Sequence, residues 1–162
     1  MDADPGHARW MARQAVVGDE SLVVGHAGFH GPPDEAGMVE IGYSIDPRFR
    51  RRGYARSTLI ELLRRAAAEP TVATVRATIG PDNVASLATI SGFGFTHVGE
   101  EWDEEDGHEL VFEARHAGGV PHRIPGVRLI NACSQANLRS YGLRTTARGP
   151  APRATQPGGD LS

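Results

Sequence analysis

The sequence contains no lysine: its 17 basic side chains are all arginine. With Ala, Gly and Pro also abundant, that absence points to a GC-rich coding bias and carries no mechanistic weight. Cysteine is nearly absent too. The single Cys133 excludes an intrachain disulfide and any multi-cysteine metal site, and it fits a cytosolic setting. No apolar run approaches the roughly eighteen residues of a membrane span, and Met1-Asp2-Ala3-Asp4-Pro5 lacks the positive start and apolar stretch of a targeting signal. The expectation is a cytoplasmic protein with no membrane partner.

What remains is a 162-residue chain with 40% hydrophobic residues, enough for one domain with a modest core. Its charge is unevenly placed. Residues 1–116 hold 11 Arg against 19 Asp+Glu, whereas 117–162 hold 6 Arg against one acid, Asp160. Phosphate affinity needs a sustained basic surface, so the acidic body argues against a nucleic-acid partner. The tail is dominated by Gly, Pro, Arg, Ser and Thr with no sustained period, and is expected to be disordered. Val127 to Ile130 is its only short apolar stretch.

Within the body, Trp10 to Val17 and Ser21 to His30 read as a hairpin around Gly18-Asp19-Glu20. Val39, Ile41, Tyr43 and Ile45 then alternate onto one face of a strand, with Glu40, Gly42 and Ser44 on the other. From Tyr54 the period lengthens: Leu59, Leu62, Leu63, Ala66 and Ala67 form a helical stripe that Pro70 ends, and Glu61 and Arg65 are spaced as an i,i+4 pair. Thr71 to Ile79 is rich in β-branched residues, so strand, helix and strand form a right-handed parallel crossover. A short helix over roughly Asn83 to Ser91 and two strands flanking Asp106-Gly107 complete the body.

The most informative stretch is Arg50-Arg51-Arg52-Gly53-Tyr54-Ala55, at the start of the long helix. A helix start offers unpaired backbone N–H groups and roughly half a positive charge, so it receives an anion well. Gly53 lets backbone approach a bulky ligand, Ala55 keeps the next position open, and Arg50, Arg51, Arg52 and Arg56 add mobile charge. The dinucleotide and Walker phosphate-loop patterns are both missing here. By itself the cluster suits a solvated surface turn or a nucleic acid as well as a phosphorylated cofactor.

A second motif favours the last. The spacing Arg50-x-x-Gly53-x-Ala55 after Ile45-Asp46-Pro47, together with Ile79-Gly80-Pro81-Asp82-Asn83-Val84-Ala85-Ser86-Leu87 and Gly94-Phe95, resembles the GNAT N-acetyltransferase superfamily. With Val39-Glu40-Ile41-Gly42-Tyr43 it is most similar to the branch of ribosomal-protein alanine and serine N-acetyltransferases. The likeness covers roughly Trp10 to Arg115. It implies an α/β fold with a mixed, mostly antiparallel sheet and one parallel strand–helix–strand crossover, in a domain of residues 1–116. The implied reaction is direct transfer of acetyl from acetyl-CoA to a primary amine, on a small molecule or a protein N-terminus. By the same likeness, backbone groups of Tyr43, Ser44 and Ile45 would hold the pantetheine, with an N–H near Ile45 polarising the thioester carbonyl. Arg50, Arg51, Arg52, Gly53, Tyr54 and Ala55 would hold the pyrophosphate. Asn83 would lie beside the pantetheine arm, with Ser86 one turn later; N-capping and first-turn solvation are their structural alternatives.

An ammonium must lose a proton before it attacks, and Glu40 is the candidate base. Its alternative is a structural carboxylate satisfied by backbone or Arg. The tyrosine that many relatives place seven residues after the Asn is Ile90 here, so the usual general acid is missing. A thiol with a pKa of about 8 to 9 needs little protonation help; Tyr43 and Tyr54 are candidate donors, with packing as their other role. His26 and His30 are about 13 Å apart along a strand, too far to share one ion, so no metal is expected. The acidic run from Glu100 to Asp106 reads as a solvated hairpin tip, with attraction of a cationic amine substrate as its functional alternative.

Relatives usually begin with a strand and two helices that help build the acceptor pocket, whereas only Met1 to Arg9 precede the hairpin here. The likeness therefore implies a domain short of most of that unit, for which a homodimer is one way to complete the pocket. Two classes stay open: an active amine N-acetyltransferase, or an inactive remnant that binds acyl-CoA or a protein partner without turnover.

Overall fold

A computed structural model describes residues 5–18, 22–115 and 126–131. Its strands are β1 (Arg13–Val17), β2 (Leu22–Phe29), β3 (Met38–Ile45), β4 (Thr74–Ile79), β5 (Thr96–Asp103), β6 (Gly107–Arg115) and β7 (Val127–Asn131). The helices are α1 (Pro5–Ala8), α2 (Tyr54–Ala67) and α3 (Val84–Ile90). All seven strands join one sheet in the order β5-β6-β4-β3-β2-β1-β7, antiparallel except where β3 meets β4. That is the α/β crossover expected from residues 38–79.

Amphipathic periods place the core. On β3, Val39, Ile41 and Ile45 are buried, while Val75, Ala77 and Ile79 do the same on β4. Leu59, Leu62 and Ala66 of α2 share one cluster with all of these but Ile45, together with Ile90 of α3 and the Trp10–Phe29 edge contact. Leu59 and Leu62 are fully buried, and burial of each such side chain contributes about 1.5–3 kcal/mol. The expected Glu61–Arg65 pair forms at 3.0 Å, and Arg64 joins it at 2.8 Å.

The far edge departs from expectation. Val127 to Asn131, read from sequence as part of a disordered tail, form a strand on the outer edge of β1, from Arg13↔Asn131 to Val17↔Val127. An open edge would leave β1 with unpaired N–H and C=O groups, and the apolar alternation of Val127 and Leu129 suits that edge. Leu129 is buried in the core, Arg65 of α2 donates to its carbonyl at 3.0 Å, and Arg128 donates to the Gly18 carbonyl at 3.1 Å. A strand late in the chain thus occupies a sheet edge. The remainder of the expected tail, 117–125 and 132–162, lies outside the described residues, as does Cys133. Among the described residues no helix is long and apolar enough to cross a membrane.

Candidate active site

The site begins where β3 and β4 part. Their parallel ladder runs only from Met38↔Thr74 to Ile41↔Ala77. Beyond it β3 stays with β2 as far as Gly25↔Ile45, while Thr78 and Ile79 of β4 pair with β6. Residues 43–45 therefore border a split in the sheet.

Which backbone groups face that split follows from the antiparallel ladder. His30 N–H donates to the Glu40 carbonyl and Asp46 N–H to the Val24 carbonyl, each at 2.9 Å. Alternation then turns residues 40, 42, 44 and 46 toward β2, and the N–H and C=O of Tyr43 and Ile45 toward β4. Because β4 has diverged, those groups border the opening. Arg50 reaches back to donate from Nε to the Ile45 carbonyl at 3.2 Å. Close strand approach is built in at Gly25, where any Cβ would overlap the Ser44 carbonyl oxygen.

The strand leads into the arginine turn. Asp46 caps the short 3-10 helix Pro47–Phe49 by accepting from Arg48 N–H at 2.9 Å, and its carboxylate also takes Arg48 Nε at 3.0 Å. Hydrogen bonds from the Arg48 side chain and backbone hold the Asp46 carboxyl below its usual range. Arg51 has φ of 62° and Gly53 of 80°, both left-handed. Gly53 is the N-cap of α2 and supplies no side-chain hydrogen bond. A Cβ there would meet nothing within 4 Å. The approach to α2 at Gly53 is thus unobstructed among the described residues, beside exposed Arg50, Arg51, Arg52 and Arg56. Arg52 lies over the Phe49 ring and Arg56 over Phe93, 4.8 Å from its centroid. An open helix end, a Cβ-free approach and exposed cations fit a pyrophosphate, and the strand edge at Tyr43 and the Ile45 N–H, beside the Ile45 carbonyl that Arg50 holds, fits an extended amide-bearing arm.

The α3 residues behave differently. Asn83 is the N-cap of α3, accepting from Ser86 N–H at 3.1 Å. Its oxygen serves the helix, leaving the NH2 end of the amide as its donor. The Ser86 side chain lies by the Tyr43 hydroxyl, as does Thr89. So Tyr43 and Ser86 come together, and Arg50 joins Ile45.

Glu40 lies on the opposite sheet face. Its carboxylate faces His30 Nδ1 at 3.6 Å, a neighbour that the structural alternative, a carboxylate satisfied by backbone or Arg, did not name. Arg76, level with Glu40 on β4, instead bonds Glu113 from Nε at 3.0 Å. His30 was legible only as a strand residue; its register opposite Glu40 is the signal that pairs them. Tyr54 is half-buried at the start of α2. Among the described residues no group of three or more His, Cys, Asp or Glu could hold a metal.

Comparison with known proteins agrees with this geometry. The family model described as "Acetyltransferase (GNAT) domain" matches residues 2–96. The uncharacterized N-acetyltransferase YjdG of Bacillus subtilis (strain 168) is 38% identical over 80 residues, 49% of this chain and 48% of that protein. The chain thus spans about half the length of the curated relative it matches. Among solved structures, a GNAT-family acetyltransferase from Bacillus anthracis superposes with a TM-score of 0.57 at 22% identity, over 65% of this chain and 66% of that one. A spermidine N-acetyltransferase from Vibrio cholerae, in complex with CoA and spermine, gives 0.54 at 13% identity over 60% of each chain. At such identities the structures speak for the fold alone; with more than half of the sequence matching the family model, the chain belongs to the GNAT acetyltransferase family.

Proposed function

We propose that this protein transfers an acetyl group from acetyl-CoA to a primary amine by direct attack. The observation that carries the reading is the split after Ile41↔Ala77, which leaves backbone groups of Tyr43 and Ile45 facing an opening beside the uncapped end of α2. Acetyl-CoA would supply an activated acyl thioester there. Residues Tyr43, Ser44 and Ile45 would hold its pantetheine, and the Ile45 N–H would stabilise negative charge on the thioester oxygen. Arg50, Arg51, Arg52, Gly53, Tyr54 and Ala55 would bind the pyrophosphate, with the Asn83 amide and Ser86 flanking the arm.

Glu40 is the proton acceptor in this scheme. It sits one position before the end of the β3–β4 ladder, on the face opposite the Tyr43 side chain. The amine would approach from the Glu40 face, lose its proton there directly or through water, and attack across the opening. His30 beside Glu40 orients the carboxylate. We further propose that residues 1–116 form the catalytic unit, completed at one edge by β7, in a cytoplasmic protein that does not act on nucleic acid.

The test is an acetyl-transfer assay with a panel of primary amines, following release of free thiol and product mass. The reading expects turnover by the wild type and a fall of roughly 10²- to 10⁴-fold in Glu40→Gln, the range for a positioned acid–base group, with acetyl-CoA affinity unchanged. A protein that binds acetyl-CoA and acetylates no amine would belong instead to the class of acyl-CoA-binding modules. Equal rates in wild type and Glu40→Gln would remove Glu40 from the chemistry.

A further inference from the structure

Family resemblance places the usual acid at position 90, and Ile90 there is 3% exposed within the core cluster. No group on that side chain can meet a leaving sulfur. A phenol stands on the neighbouring strand. Tyr43 lies two positions beyond the last β3–β4 pair, where its backbone already borders the opening. Its side chain leaves β3 on the helix-covered face, and its hydroxyl is buried beside Ser86 and Thr89 of α3. That hydroxyl makes no hydrogen bond of good geometry. The two α3 side chains are close enough only to offset part of the effect of burial, and the Thr89 hydroxyl already donates to the Ala85 carbonyl at 2.8 Å. Buried polar groups in folded proteins almost always have partners. A buried donor with no well-formed bond, on a residue whose backbone borders the opening, points to a partner supplied by the ligand.

We propose that the Tyr43 hydroxyl is the hydrogen-bond donor to the sulfur of acetyl-CoA as the carbon–sulfur bond breaks, in place of a tyrosine at position 90. The inference rests on acetyl-CoA as the donor. In the step, the amine lone pair forms the N–C bond to the acetyl carbon. The C–S bond breaks with its electron pair going to sulfur, which accepts the hydrogen bond from Tyr43. The nitrogen loses two protons in all, the first from the ammonium before attack and the second from the acylated nitrogen as the C–S bond breaks, both passing through Glu40 to solvent; the sulfur takes one proton from solvent on release, so the products are amide, free thiol and one proton.

Tyr43 acts as a hydrogen-bond donor and keeps its proton. Burial raises its phenol above the ordinary value of 10.0, whereas a thiol ionises near about 8.5, so complete transfer from phenol to thiolate runs uphill. A fixed, unionised donor aimed at developing charge needs no reorganisation during the reaction.

The experiment is Tyr43→Phe, read three ways beside the wild type. A hydrogen bond to a charged acceptor predicts that kcat falls roughly 10- to 100-fold with KM for acetyl-CoA unchanged. In the CoA complex, the thiol pKa followed by thiolate absorbance rises by about one to two units in the variant. Because the hydroxyl makes no well-formed hydrogen bond within the protein, Tm stays level or increases. Unchanged kcat and thiol titration overturn the proposal, and so does a fall in Tm that accompanies the kinetic loss, because that would make the hydroxyl a packing group. A wild type that binds acetyl-CoA but shows no turnover still tests the inference through the thiol titration. No binding by the wild type removes the donor reading, and this inference with it.

Discussion

The two longer helices begin in opposite ways. α2 starts at a left-handed glycine with no side-chain cap and open space beyond it; α3 starts at Asn83, whose side chain closes its first turn. Both follow central strands and both contribute to the same core. A capped helix satisfies its own N–H groups, whereas an uncapped end leaves them for solvent or a ligand. Its arginine rim and its length of 14 residues against 7 make α2 the stronger anion end. The cost of an open start is offset farther along α2, where Glu61 binds Arg64 and Arg65, and Arg65 reaches Leu129 of β7.

That contrast can be broken first at Gly53. A glutamate there would put a carboxylate over the free N–H groups. Losing charge-assisted bonds to a phosphate should raise the acetyl-CoA Kd at least about 100-fold. Gly53→Ala carries the same left-handed strain without the charge and serves as its control: calorimetry should find affinity within a few-fold of wild type.

At the capped helix the effect should fall on stability instead. Asn83→Ala removes the bond to Ser86 N–H and should cost about 1 kcal/mol, lowering Tm by roughly 4 °C. Acetyl-CoA affinity measured on the same variant would sharpen the contrast, because a loss beyond a few-fold would show that the amide also holds the ligand.

A smaller effect is expected at Arg51, whose φ of 62° is left-handed for a residue with a Cβ. Arg51→Gly should stabilise by up to about 1 kcal/mol in chemical denaturation. Affinity for acetyl-CoA should weaken slightly as one cation is lost.

The smallest concerns Glu61 and pH. Burial alone would raise its pKa, but hydrogen bonds from Arg64 and Arg65 hold it below 4.5. A carboxylate depressed on folding contributes stability above its unfolded pKa and loses it as pH falls through the folded value. Glu61→Gln should therefore flatten the acid limb of the Tm–pH curve below about 4.5, with a cost near neutrality of about 0.5 kcal/mol.

Much of the fold between residues 38 and 115 is legible because each element carries its own period or stop. Met38–Ile45 alternates, α2 repeats its leucines and meets Pro70, and Asp106-Gly107 marks the last hairpin. Val127–Asn131 alternates over too few residues to be read as a strand by itself. Its partner β1 lies far away in sequence, as the 110 positions between Arg128 and Gly18 illustrate, and pairing rather than propensity makes it a strand. The arginine turn and Gly53 were readable from spacing, since an open helix start is a local property. The split between β3 and β4 was not, because it depends on where two strands diverge. The same limit applies to Asn83, Glu40 and Tyr43: their faces follow from alternation and helix phase, but the Ser86 N–H that Asn83 binds, the His30 beside Glu40 and the α3 side chains near the Tyr43 hydroxyl are set by register and packing.

The most direct test of the account is a calorimetric titration of acetyl-CoA into the wild type, Gly53→Ala and Gly53→Glu. The account predicts saturable one-site binding to the first two and its loss in the third, with all three cooperatively folded. Equal binding to all three, or none to a folded wild type, would contradict the assignment of the α2 end and the β3–β4 opening as the acetyl-CoA site.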